Sequence, residues 1–251
     1  MFGFATIISA VVGLFSCLVI MLNEKFNGKK GNVHANIFLM NERRTMSFYR
    51  IFSWIYDIVN IHFYSDEMRT QATELAEIKE SGNVLDVGCG TGYTTEAIIK
   101  ASKYGNVIGA DITVQQQLKK AEKKLRHKYI ETNLIISDVL KLPFRDNSFD
   151  AVVSVGAIEY FPDPDKAIYE MSRSLKTDSS ILVGGPEYTW FKKISLDRSF
   201  YTPSVQSVVQ IFKNSRLKEV KHVLTDVDTF FNTDKYVFFV VGKKNNNWID
   251  N

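Results

Sequence analysis

The sequence predicts an α/β protein: a doubly wound, largely parallel sheet of seven strands with one antiparallel strand, preceded by a membrane-spanning N-terminal helix. Three observations carry this. From residue 83 onward, short apolar runs alternate with stretches of helical character. A glycine-rich turn, Asp86-Val87-Gly88-Cys89-Gly90-Thr91-Gly92, joins the first apolar run to the first helical one. And Met1 to Leu22 contains no charged side chain.

The uncharged run is just long enough for a helix that crosses a bilayer, which needs about 20 apolar residues. No Lys or Arg precedes residue 25, so the basic n-region of a secretory signal is missing. Lys25, Lys29, Lys30, Arg43 and Arg44 follow the run and, by the positive-inside rule, place the following domain in the cytoplasm. Residues 1–22 are thus expected to be an anchor and 23–45 a basic linker. Residues 46–80 read as a helical lid, 81–243 as the ligand-binding core and 244–251 as a polar tail. In the lid, Phe48, Phe52, Ile55 and Val59 recur at helical spacing, and Tyr49, Tyr56 and Phe63 follow a second stripe. Ser65 is placed to cap a helix over 66–79.

Within the core, strands are expected over 83–87, 106–110, 134–136, 149–154, 179–183, 217–224 and 236–242. Helices are expected over 93–103, 114–127, 165–175 and 204–214, with Pro164 in a first turn and Pro203 opening the last. Gly184-Gly185-Pro186 is expected to break the fifth strand. The last two strands have no helix between them, which predicts a hairpin and hence the antiparallel strand.

The glycine turn sits between a strand and a helix. Residues without Cβ let backbone N–H groups approach a ligand, and the helix start favours anionic groups. Asp86, Gly88, Gly90, Thr91 and Gly92 are therefore candidate ligand-binding residues. Asp111 follows Gly88 by 23 residues at the end of the second apolar run, where a carboxylate can accept hydrogen bonds from both hydroxyls of a ribose. Ile112 follows it. Asp138, with Val139, lies at the end of the third strand, within reach of the exocyclic amine of an adenine. Gly156 to Tyr160 lies at the end of the fourth. Ligands bind at the carboxyl ends of strands in such sheets, so these runs should share one rim.

The spacing is G-x-G-x-G rather than the G-x-G-x-x-G of nicotinamide sites, and the loop resembles the first motif of class I S-adenosylmethionine-dependent methyltransferases. Further stretches resemble the 2-methyl-6-phytyl-/solanesyl-benzoquinol methyltransferase branch, related to ubiquinone and menaquinone methyltransferases. They are Phe48-Tyr49-Arg50, Tyr56-Asp57, Ser65-Asp66-Glu67-Met68-Arg69, Gly156 through Pro164 (GAIEYFPDP) and Gly185-Pro186-x-Tyr188. The resemblance covers residues 47–225. It implies a Rossmann-like seven-stranded methyltransferase sheet, S-adenosylmethionine as cofactor with Tyr56 beside it, and C-methylation of a prenylated quinol ring. Cys89 stands where the branch usually has glycine. The apolar segment here is N-terminal, whereas the plastid enzymes anchor at the other end. Glu159 is the first candidate for the base that accepts a phenol proton, with Tyr160 beside it as a second catalytic candidate; Glu187 and Asp57 are weaker ones. A different lipid acceptor and a non-catalytic cofactor-binding subunit are the alternatives.

Composition narrows the field further. Lys and Arg number 31 against 28 Asp and Glu, a net charge of +3 that leaves no nucleic-acid footprint. The two cysteines, Cys17 and Cys89, and the scattered histidines His34, His62, His127 and His222 offer neither a disulfide framework nor metal-ligand spacing.

Overall fold

A computed structural model describes residues 64–103, 105–112, 117–126, 133–187, 203–226 and 236–246. Its elements are α1 (Asp66–Leu75), β1 (Asn83–Val87), α2 (Tyr93–Ser102), β2 (Asn106–Asp111), α3 (Gln117–Arg126) and β3 (Asn133–Ile136). Then follow β4 (Phe149–Val155), a 3-10 turn (Ile158–Tyr160), α4 (Pro164–Ser174), β5 (Leu175–Glu187), α5 (Val205–Asn214), β6 (Lys218–Asp226) and β7 (Tyr236–Lys243). The expected anchor over 1–22, the linker, the lid stripe with Tyr56 and Asp57, and the start of the 114–127 helix lie outside the described residues. Among the described residues no helix is long and apolar enough to cross a membrane.

The seven strands form one sheet in the order β3-β2-β1-β4-β5-β7-β6. β1 pairs in parallel with β2 and β4, β2 with β3, and β4 with β5. β7 runs antiparallel to both β5 and β6. The single antiparallel strand read from the last two runs is therefore present, inserted between β5 and β6. Chain order reverses between β1 and β4, which makes the cleft beyond their carboxyl ends the topological switch point.

Side chains alternate across the sheet with period two. Leu85, Val87, Val152, Ile181, Val183, Phe238 and Val240 face one layer, packed with Ile168 and Met171 of α4 and Val208 and Phe212 of α5. Val84, Val153, Leu182, Val237 and Phe239 face the other, packed with Met68 and Ala72 of α1 and Ile98 of α2. Helices on both faces are the doubly wound arrangement that the alternating runs predict.

Caps set the helix starts. Ser65 Oγ accepts from Met68 N at 3.3 Å, as its position before α1 predicts. Asp163 Oδ1 accepts from Lys166 N at 3.0 Å, leaving Pro164 at the first helical position. Ser204, rather than Pro203, starts α5: its Oγ accepts from Ser207 N at 3.2 Å. α1 stops at Leu75, short of residue 79, because Glu77 takes a left-handed φ of 51°.

Two expectations fail for a physical reason. The Gly184-Gly185-Pro186 run does not break β5, which continues to Glu187 along β7. A Cβ on Gly184 would come within 2.6 Å of the Phe239 ring, and one on Gly185 within 3.0 Å of Ile158, so these glycines are space for neighbours rather than a turn. β4 pairing ends with Val155 opposite Gly184, leaving Pro186 flanked by β7 alone, where a missing N–H is tolerated. Nor is the chain after β7 frayed at its start. Lys244 is 3% exposed and its Nζ donates to Asn147 Oδ1, Arg173 O and Leu175 O at 2.8–3.0 Å.

Gly184→Ala should destabilise the protein by about 1–3 kcal/mol, the usual cost of overpacking a filled core. Urea unfolding of the two proteins side by side measures it; equal midpoints would show that the Phe239 ring yields without cost.

Candidate cofactor and active site

The glycine turn follows β1 and ends in α2. Gly88, Gly90 and Gly92 all have positive φ, at 73°, 51° and 79°, which side chains disfavour. The turn is tied to β2: Gly88 N and Cys89 N both donate to Ala110 O, at 2.8 and 3.2 Å, and Gly92 N donates to Cys89 O. Gly92 is the N-cap of α2 and lies against Ala121 of α3, where a Cβ would stand 3.0 Å away. Cys89 is buried, and its Sγ fills the room that Gly109 of β2 leaves: a Cβ there would be 3.0 Å from the sulfur. Burial, with Asp111 and Asp86 near, pushes this thiol well above its ordinary range, so it is inert.

Asp111 is 8% exposed at the end of β2, and its Oδ2 accepts from Gly90 N at 2.8 Å. One carboxylate oxygen thus fixes the loop. Asp86 lies deeper, at 1% exposure, on the α2 face of the sheet. Thr95 Oγ1 donates to its Oδ2 at 2.6 Å, while its Oδ1 has no hydrogen-bond partner among the described residues. Burial, reinforced by the charge of Asp111, raises this carboxyl to about 7 against the Thr95 bond. Thr91 Oγ1 is likewise enclosed and unpartnered among the described residues.

The segment after β4 forms the opposite wall. Gly156 has φ 72°, and its N donates to Gly184 O at 2.9 Å. The 3-10 turn that follows carries Glu159 and Tyr160. Glu159 is half-buried, its Oε2 is enclosed with no hydrogen-bond partner among the described residues, and burial raises its carboxyl to about 7. The two walls touch: a Cβ on Gly88 would stand 2.4 Å from that of Ala157.

At the third strand end, Asp138 is exposed and Val139 is half-buried against the core. Asp138 Oδ1 accepts from Leu140 N at 2.8 Å, so one of its oxygens is committed to a local turn. Ile112 is half-buried beside Asp111. The parallel pairing of β1 to β4 brings the turn, Asp111, Ile112, Asp138, Val139 and Gly156 to Tyr160 to one rim, as the strand-end rule predicts. Asp86 is set apart beneath α2. Glu187, a weaker candidate base, has its Oε2 accepting from Val205 N at 3.1 Å at the start of α5. Tyr64 is a residue that the sequence reading passed over. It is 8% exposed and its ring lies on Gly156. No periodicity marks it, because the contact joins positions 92 residues apart.

The family described as "Methyltransferase domain" matches residues 85–183, from β1 to β5. The chain is 35% identical over 188 residues to the chloroplastic 2-methyl-6-phytyl-1,4-hydroquinone methyltransferase of Arabidopsis thaliana, a match covering 73% of this chain and 55% of that one. It is 35% identical over 108 residues to the demethylmenaquinone methyltransferase of Lactobacillus johnsonii, covering 42% of this chain and 44% of that one. Among solved structures, a SAM-dependent methyltransferase from Aquifex aeolicus superposes with a TM-score of 0.58 at 19% identity, over 74% of this chain and 92% of that one. The chain thus spans about half the length of the curated relatives it matches. Fold, glycine turn and matches define a class I S-adenosylmethionine-dependent methyltransferase domain. Within that class the chain is similar to the branch that holds the two named relatives.

Raised above its unfolded value of 3.8, the Asp86 carboxyl contributes stability that is full below about pH 4 and is lost as pH rises through about 7. Asp86→Asn, which carries no titrating carboxyl, removes that dependence. The stability difference between the two proteins should shift towards the variant from pH 4 to pH 7.5 in urea titrations; a constant difference would show that folding does not raise the Asp86 carboxyl. Separately, Asp111→Ala should weaken S-adenosylmethionine binding at least about tenfold by calorimetry, the loss of a charged hydrogen-bond acceptor; unchanged affinity would remove Asp111 from the cofactor site.

Proposed function

We propose that this protein transfers a methyl group from S-adenosylmethionine to a ring carbon of a prenylated quinol. The observation that carries the reading is Glu159: an enclosed carboxylate at the switch point, with an unpartnered oxygen and a pKa of about 7, on the wall facing the glycine turn. The relatives support the acceptor class, one being named for a phytyl hydroquinone and another for demethylmenaquinone.

The donor set of the site suits this cofactor. Asp111 stands where a carboxylate meets ribose hydroxyls, and Asp138 and Val139 flank the place of the adenine. The enclosed Thr91 Oγ1, within the turn, supplies a donor for a carboxylate. Gly88, Gly90, Gly92 and Gly156 leave the backbone bare for close approach, with Ile112 as an apolar edge. Tyr56 belongs to the same site through the branch resemblance.

When bound, S-adenosylmethionine supplies an electrophilic methyl group on a sulfonium. The chain's residues prepare the acceptor. A phenol is weakly nucleophilic at its ring carbons until its hydroxyl proton leaves, and Glu159 takes that proton. The opposite charges of phenolate and sulfonium cancel as the methyl moves, which a water-excluding cleft favours. Tyr160, next to the base, borders the acceptor ring. Residues 1–22 anchor the enzyme with its catalytic domain on the cytoplasmic side. An anchored enzyme meets a prenyl chain in the bilayer where that chain already partitions.

Detergent-solubilised protein with methyl-labelled S-adenosylmethionine and a panel of prenylated benzoquinols and naphthoquinols tests the reading. Label on a ring carbon is the expected result. Cofactor binding without label in any quinol would overturn it and favour another lipid acceptor or a non-catalytic role. Turnover should rise with pH through about 7, as Glu159 ionises, and level off above about 8. Glu159→Gln should lower turnover by about 10²–10⁴-fold with cofactor affinity unchanged; a Gln variant with full turnover would remove Glu159 as the base.

A further inference from the structure

Three consecutive positions of the segment leading to Glu159 are each met by a partner at the limit of contact. Gly156 is met by the Tyr64 ring: Cε2 and Cζ stand 3.0 Å, and the hydroxyl 3.1 Å, from where a Cβ would lie. Ala157 is met by Gly88 of the cofactor turn, and Ile158 by Gly185 of β5. Glu159 comes next. Its Oε2 has no hydrogen-bond partner among the described residues, and its carboxyl group is met by its own backbone N–H.

We propose that Tyr64 is the positioning residue of this segment, its phenol ring laid on the bare Cα of Gly156 so that Glu159 is held towards the cleft. The proposal rests on Glu159 being the base. Gly88 and Gly185 offer only backbone, and both are fixed in any case, Gly88 by its N–H bond to Ala110 O of β2 and Gly185 by its place within β5. Tyr64 is the contact that comes from outside the sheet. It immediately precedes Ser65, whose Oγ caps α1 and whose carbonyl accepts from Arg69 N at 3.2 Å, so the backbone below the ring is firm. Its ring is also wedged in the buried layer of Val153, Leu182 and Phe239. On the other side, Gly156 N is held by Gly184 O, and Tyr160 N and Phe161 N close the 3-10 turn on Ala157 O and Ile158 O at 2.9 and 3.2 Å. A ring seated on one end of so tight a segment fixes the other. A side chain at 156 would take the ring's place and would also be strained at φ 72°.

Burial raises the Glu159 carboxyl and its own backbone N–H tempers the shift; among the described residues no charged neighbour contributes. Its titration therefore reports how well the turn keeps water out. The test uses the full-length protein and Tyr64→Phe, Tyr64→Leu and Tyr64→Ala. The first keeps the ring, and the second fills the core without one should the third fail to fold. Carboxyl ¹³C NMR of glutamate-labelled protein, with the Glu159 signal assigned through Glu159→Gln, reads the midpoint without any acceptor. Tyr64→Phe should leave it in place, and Tyr64→Leu and Tyr64→Ala should lower it by about one pH unit as water reaches the carboxyl. Turnover should fall by about 10²-fold in the Leu and Ala variants and return in Phe, with the cofactor Kd within about twofold throughout. A folded Tyr64→Leu protein with an unmoved midpoint and full turnover overturns the proposal. A midpoint that moves as expected in a protein that methylates no quinol upholds the positioning role and instead overturns the quinol as acceptor.

Discussion

The contact on which the site depends is that of Gly88 with Ala157. The loops that follow the parallel neighbours β1 and β4 approach until there is no room for a methyl group between them. Only a glycine on one side permits this, and the same residue needs a left-handed φ to turn the chain into α2. The cofactor turn and the wall that carries Glu159 are therefore not independent parts of a cleft. They share a surface, and the spacing between the glycine turn and the segment that carries Glu159 is set by van der Waals contact of backbone and Cβ, which is far stiffer than a pair of loops meeting through side chains or water.

Three carboxyl groups line or underlie this junction, and each has a different environment. Asp111 has one oxygen satisfied by the N–H of Gly90. Asp86 is enclosed, with one oxygen bonded to Thr95 and the other unpartnered among the described residues. Glu159 is enclosed with an oxygen that meets no donor there. The same functional group is thus a loop brace in one place, a buried neutral acid at low pH in another, and a group poised near neutrality in the third. Environment rather than residue type separates the roles.

Much of this was legible in the chain. The strands were, because a sheet covered on both faces leaves near-continuous apolar runs. The turn and Asp111 were, because a ligand that needs bare backbone and a ribose acceptor leaves glycines and a carboxylate at fixed spacing. The rest depended on neighbours distant in sequence. Gly184 and Gly185 read as breakers locally; their reason is Phe239 and Ile158. Glu187 read as a weaker candidate base; its bond from Val205 N at the start of α5 joins positions 18 residues apart. Lys244 looked like tail, yet three acceptors from the β4–α4 side converge on its ammonium group. Tyr64 carried no local sign at all, since its partner is a glycine whose significance is what it lacks.

The place of β7 has a consequence for how the sheet comes into being. β7 follows β6 in the chain but lies inside it, bonded to β5 on one flank and β6 on the other. Until residues 236–243 arrive, the flank of β5 from Ser180 to Glu187 stands open and β6 has no neighbour to join. A chain emerging from the ribosome would hold a five-stranded parallel half with a raw, apolar edge, the kind that recruits stray strands. Closure of the molecule is therefore a late event by design of its topology, and the segment made after the catalytic parts is the one that seals them.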